Sequence, residues 1–139
     1  MTKLYYVADV LLECLENPIT VGDAKFRASM PFDGEILGNA SGPRITGHIQ
    51  NAGTGAGTST DIQVRNVTTG RDYFSTLPAF EVDNKDANGR CILSGGVLRV
   101  EPTFRTADVL ALDVDVIPGG ANSAQAQVFL TVGMWREVD

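Results

Sequence analysis

Apolar and polar residues alternate with period two along several stretches of this chain. In Lys25-Phe26-Arg27-Ala28-Ser29-Met30 the apolar residues 26, 28 and 30 fall on one face. Ile45-Thr46-Gly47-His48-Ile49-Gln50 repeats the pattern. From Asp108 to Val116, Leu110, Leu112, Val114 and Val116 point inward while Asp113 and Asp115 face water. From Ala124 to Val132, Ala126, Val128, Leu130 and Val132 share a face opposite Gln125, Gln127 and Thr131. Such alternation predicts half-buried strands, because successive side chains point to opposite sides of a sheet. Asp33-Gly34, Thr69-Gly70, Asn88-Gly89, Gly95-Gly96 and Pro118-Gly119-Gly120 supply turns between them. Ile62, Val64 and then Val67 lose phase, which predicts a bulge near Arg65 or Asn66. Asn51 to Thr60, with Gly53, Gly55 and Gly57, reads as a long loop joining two strands. Leu4, Val7, Leu11 and Leu15 would line one face of a helix, but the segment is read as an N-terminal strand or arm. The whole predicts an all-β, antiparallel β-sandwich.

Length and composition narrow this picture. The 139 residues suit one domain, and a chain of that size buries roughly 68–70% of its unfolded surface without staples. A net charge of -6 repels phosphate backbones, and the few basic residues are dispersed, which argues against nucleic-acid binding. No run approaches the ~20 apolar residues of a membrane span. Asp9, Glu13 and Glu16 interrupt the first apolar region, so the chain reads as mature protein with no secretory signal. Cys14 and Cys91 lie far apart and outside any C-x-x-C spacing, and are read as buried free thiols.

Candidate chemistry is sparse. His48 is the single histidine, so neither a multi-histidine metal centre nor a catalytic triad with a nucleophile elbow can be assembled around it. Gly53-Thr54-Gly55-Ala56-Gly57 looks like a phosphate loop but precedes a strand and lacks a lysine. Asn84-Lys85-Asp86-Ala87-Asn88-Gly89 looks like half a calcium loop, yet Gly95 stands where the bidentate glutamate belongs. Asp113 and Asp115, two apart, read as a solvated acidic face rather than a catalytic pair. The expectation is therefore no catalytic, cofactor-binding or metal residues. Tyr5, Tyr6, Phe129, Met134 and Trp135 are candidates for a subunit contact, since Phe129 sits on the polar phase of its strand and Met134-Trp135 follow it.

Several motifs in fixed order carry a family likeness. Pro31-Phe32-Asp33-Gly34-Glu35-Ile36, the glycine loop at 53–57, Asp61 to Gly70, Phe74-Ser75-Thr76-Leu77 and Ala107 to Asp115 follow one another along the chain. Over roughly residues 20 to 133 this order resembles the jelly-roll structural proteins of tailed bacteriophages, the head decoration and minor capsid proteins. The resemblance implies a jelly-roll-like sandwich over residues 19–139, with residues 1–18 as an arm or strand outside the shared pattern. It also implies a homotrimer that binds the major capsid protein on the outside of the head as cement. It brings no catalytic residues, no cofactor, no nucleic-acid partner and no membrane. Such a protein is assembled in the bacterial cytoplasm and resides in the virion. Two other function classes compete. A tail or fibre head domain would bind a receptor or carbohydrate through exposed aromatics. A trimeric jelly-roll nucleotide hydrolase would need a catalytic Asp in a Gly-rich context and a Gly-rich C-terminal arm, where this chain has Trp135-Arg136-Glu137-Val138-Asp139.

Overall fold

The computed structural model describes residues 2–16, 18–39, 42–118 and 126–138. The first half of the chain forms β1 (Thr2–Cys14), β2 (Gly22–Ser29), β3 (Asp33–Ile36), β4 (Gly38–Asn39), β5 (Gly42–Pro43), β6 (Ile45–Ile49) and β7 (Ser59–Asn66). The second half forms β8 (Arg71–Asp72), β9 (Phe74–Thr76), β10 (Ala79–Lys85), β11 (Cys91–Ser94), β12 (Val97–Leu98), β13 (Thr103–Phe104), β14 (Val109–Val116) and β15 (Ala126–Val138). Helices are absent among the described residues.

Every strand pairing is antiparallel, and the principal strands follow the order β1-β15-β6-β11-β10-β7-β14-β2. β1 also touches β2 and β14 without pairing to them, so the ribbon of strands folds over on itself. One layer is then β1-β15-β6-β11 and the other β2-β14-β7-β10, with β10–β11 pairing across one side and β1 beside β2 at the other. That arrangement, with the chain passing repeatedly between layers, is a jelly-roll-like β-sandwich in one domain. β3 pairs with the second half of β15 and carries β13 on its far side.

The alternation read from the sequence places the core. Ala126, Val128, Leu130 and Val132 of β15 are buried, as are Leu110, Leu112 and Val114 of β14 and Leu12 and Cys14 of β1. They meet Phe80, Phe74, Ile49, Ile62 and Val64 in one apolar cluster. Burying each of the Val, Leu, Ile and Phe side chains stabilises the fold by ~1.5–3 kcal/mol. Both cysteines are buried free thiols, and burial pushes the Cys14 thiol above its ordinary range.

Three expectations are corrected. Asp113 does not face water, because it is 3% exposed. Val116, expected inside, is exposed. Asp113 keeps the side of β14 opposite Leu112 and Val114 but is covered there by Arg65 and the Ala24 N–H, whereas Val116 is turned out by a register shift between Val114 and Val116 against β7. No bulge lies at Arg65 or Asn66 either, since Leu110↔Asn66 and Ala111↔Arg65 pair regularly. Val67 leaves phase because the strand has ended. Asn66 accepts the Gly70 N–H at 2.8 Å through its backbone oxygen and closes a turn. Its buried side chain donates to Asp108 Oδ2 at 2.9 Å and to Tyr73 Oη at 3.1 Å.

Candidate functional site

The residues singled out for chemistry each carry a structural task. His48 pairs with Gln127 of β15 and Ile92 of β11, and lines a surface depression with Gln50, Asn88, Gly89, Arg90 and Gln127. In the Asx-rich turn, Asp86 Oδ1 accepts the backbone N–H groups of Asn88 and Arg90 at 2.9 and 3.0 Å. Arg90 Nε donates to Asp86 Oδ2 at 3.1 Å. These contacts, the Arg90 N–H foremost, hold the Asp86 carboxyl below its ordinary range. Its lone pairs thus fold the hairpin between β10 and β11. In the glycine loop, Gly55 and Gly57 adopt φ of 108° and 77°, a turn that favours glycine, and the Gly57 N–H donates to Asp83.

Asp113 joins Asp23 and Asp115, and the three carboxylates have oxygens within 4.8 Å of one another. Asp113 itself is fully engaged. Arg65 Nε donates to its Oδ2 at 2.9 Å, while Arg65 Nη2 and the Ala24 N–H donate to its Oδ1 at 3.3 and 2.7 Å. Ala24 takes a φ of 52° to make that bond. Asp115 is left with the residual repulsion. Partial burial and then the charge of Asp113 push its carboxyl above the ordinary range.

A different surface gathers most of the sequence-predicted contact residues. Directly opposed residues of an antiparallel pair share a face, and β1 runs the full length of β15, from Thr2↔Val138 to Cys14↔Ala126. The buried residues Leu12, Val128, Leu130 and Val132 define the inner face. The outer face therefore carries Tyr5 opposite Trp135, Val7 opposite Gly133 and Leu11 opposite Phe129. Tyr5 and Val7 are 56% and 58% exposed. The hydroxyl end of Tyr5 lies over Gly133, where a Cβ would strike Tyr5 Oη and come within 3.1 Å of Leu37. Lys3 Nζ sits 5.9 Å from the centre of the Trp135 ring. Thr131 donates to Asp9 at 2.7 Å and divides the strip into a larger patch (Trp135, Tyr5, Val7, Leu37) and a smaller one (Leu11, Phe129).

Tyr5, Phe129 and Trp135 thus share one face. Tyr6 and Met134 lie opposite each other on the inner side. Met134 is buried, and Tyr6 stacks on Phe32 at 5.5 Å with Arg136 over the other partner of that stack. Val7, Leu11 and Leu37 were not among the contact residues expected from sequence. The first two have the parity of Tyr5, a signal available once the segment is taken as a strand. Leu37 has none, since it reaches the face from the end of β3. Compared with protein-family models and with curated proteins, the chain matches none.

Proposed function

We propose that this protein is a structural component of a tailed-bacteriophage particle, a decoration protein that binds the outer surface of the head as a homotrimer and cements neighbouring major capsid subunits. The observation that carries this reading is the outward face of β1 and β15. It is an apolar, aromatic centre of Tyr5, Val7, Leu37 and Trp135 edged by Lys3, Asp9, Glu35 and Glu137. Protein–protein contacts have that anatomy, an apolar and aromatic centre within a charged rim. The acidic and polar groups inside the sandwich are engaged with one another, so the jelly-roll-like domain offers surface for docking. A trimer multiplies each such contact, because the second and third arms engage at high effective concentration. The role is assembly in the host cytoplasm and residence in the virion, without catalysis.

The experiment is co-sedimentation of purified protein with undecorated heads of the phage that encodes it. Saturable binding, lost in a Tyr5→Ser/Trp135→Ser variant, supports the reading. Absence of binding rejects it.

The same exposed rings favour one other reading, a tail or fibre head domain that binds carbohydrate, since sugars stack on aromatic faces. Retention on glycans by a protein that ignores heads would select it.

A further inference from the structure

β1 is paired along one edge only. Each residue from Thr2 to Cys14 is opposed by a residue of β15. On the other side its neighbour is β2, which touches it without pairing. Among the described residues no backbone hydrogen bond reaches that second edge. An unpaired strand edge is a template for another strand, and proteins commonly blunt such edges with charges, proline or bulges. β2, the matching edge of the other layer, is blunted in this way. It carries Asp23, Lys25 and Arg27 and a left-handed residue at Ala24. β1 is not blunted. Thr2-Lys3-Leu4-Tyr5-Tyr6-Val7-Ala8-Asp9-Val10 contains neither Gly nor Pro, and residues 2 to 7 are exposed in an unbroken run.

We propose that this free edge pairs antiparallel with β1 of a second copy of the chain, about a two-fold axis at Tyr6. The charges select the register. Between Thr2 and Leu12 the strand bears two charges, Lys3 and Asp9, and they lie symmetrically about Tyr6. With the axis at Tyr6, Lys3 of each copy faces Asp9 of the other, Tyr5 faces Val7, Leu4 faces Ala8, and Tyr6 faces itself. An axis at Tyr5 or Val7 sets Lys3 against Val7 or Leu11 instead. An axis between residues opposes inner side chains to outer ones, which a continuous sheet does not allow. Both charges keep capacity for a new partner. Lys3 packs against Trp135, and Asp9 accepts one bond from Thr131, while an ammonium offers three donors and a carboxylate about four lone pairs. The pairing also joins the two outer faces, placing Tyr5 of one copy between its own Trp135 and the other's Val7.

The contact is isologous, whereas a threefold ring needs a heterologous one. It therefore yields dimers, or joins two trimers, and it holds for the chain in solution whether or not the protein sits on a phage head. Light scattering on the full-length protein should give an even multiple of the 14.8 kDa chain. Lys3→Asp alone, and Asp9→Lys alone, oppose like charges twice per two-fold contact and should weaken it at least about tenfold by sedimentation equilibrium. The double variant restores both pairs and should recover the wild-type constant. A wild type that is monomeric or only trimeric overturns the proposal. So do single variants of unchanged assembly, or a double variant as weak as the singles. An intact trimer that binds heads would leave the proposed function standing while this contact fell, and a dimer indifferent to heads would do the reverse.

Discussion

Arg65 and Asp113 set the electrostatic balance of the layer formed by β7 and β14. The carboxylate side chain is 4% exposed and the guanidinium 23%, so removing the cation strands a charge with the Ala24 N–H as its remaining donor. Arg65→Met should lower unfolding free energy at pH 7 by about 2–4 kcal/mol, read from urea titration. Asp115 behaves oppositely. Its carboxyl is raised in the folded protein, so its protonated form favours the fold. That stability is fully present below the unfolded value and is lost as pH rises through the folded one. Asp115→Asn should therefore raise the melting temperature at pH 7, with a gain that fades as the buffer is acidified until the wild-type carboxyl is protonated. The pairing of Asp113 with Arg65 was not legible in the sequence, because the two lie 48 residues apart and Asp113 is covered by Arg65 and by the Ala24 N–H of a neighbouring strand. Period-two counting tells which side of a strand a residue takes, but not what covers that side. The Asn66 cluster escaped for a related reason, since a polar residue at a strand's end is indistinguishable from surface until Asp108 and Tyr73 arrive from elsewhere in the chain.

At the scale of elements, β1 shows why its own segment was ambiguous. Its inner face carries Val10, Leu12 and Cys14, and its outer face carries Tyr5, Val7 and Leu11, so alternation is erased and a helical spacing of leucines emerges. A strand that is apolar on both faces is what a docking surface on one side and a core on the other require. Leu12, buried opposite Val128, tests the inner face. Leu12→Ala should cost about 2–5 kcal/mol by the lost transfer energy and the cavity left behind. β3 is seated by a glycine whose role is contact distance. A Cβ at Gly34 would strike the backbone oxygen of Gly133 and approach the Phe104 ring to 2.6 Å. Gly34→Ala should thus destabilise by about 1–3 kcal/mol in chemical denaturation, because β3 must shift off β15.

For the whole molecule, the class of fold was legible and the wiring was not. The alternating runs of β14 and β15 fix a sandwich, since each needs a second layer to cover its apolar face. Their neighbours are set by pairings across the chain, such as β1 with β15 and β6 with β15, which leave no local trace in composition. The docking face is assembled by those same pairings, so only Tyr5, Phe129 and Trp135 of it stood out as candidates beforehand. On the proposed reading this face meets another protein. Amide hydrogen exchange on the chain, free and bound to undecorated heads, measures it. Added protection confined to β1, β15 and the adjoining Leu37 is the predicted result. Protection on the opposite layer, over β2 and β14, with β1 and β15 unchanged would contradict it.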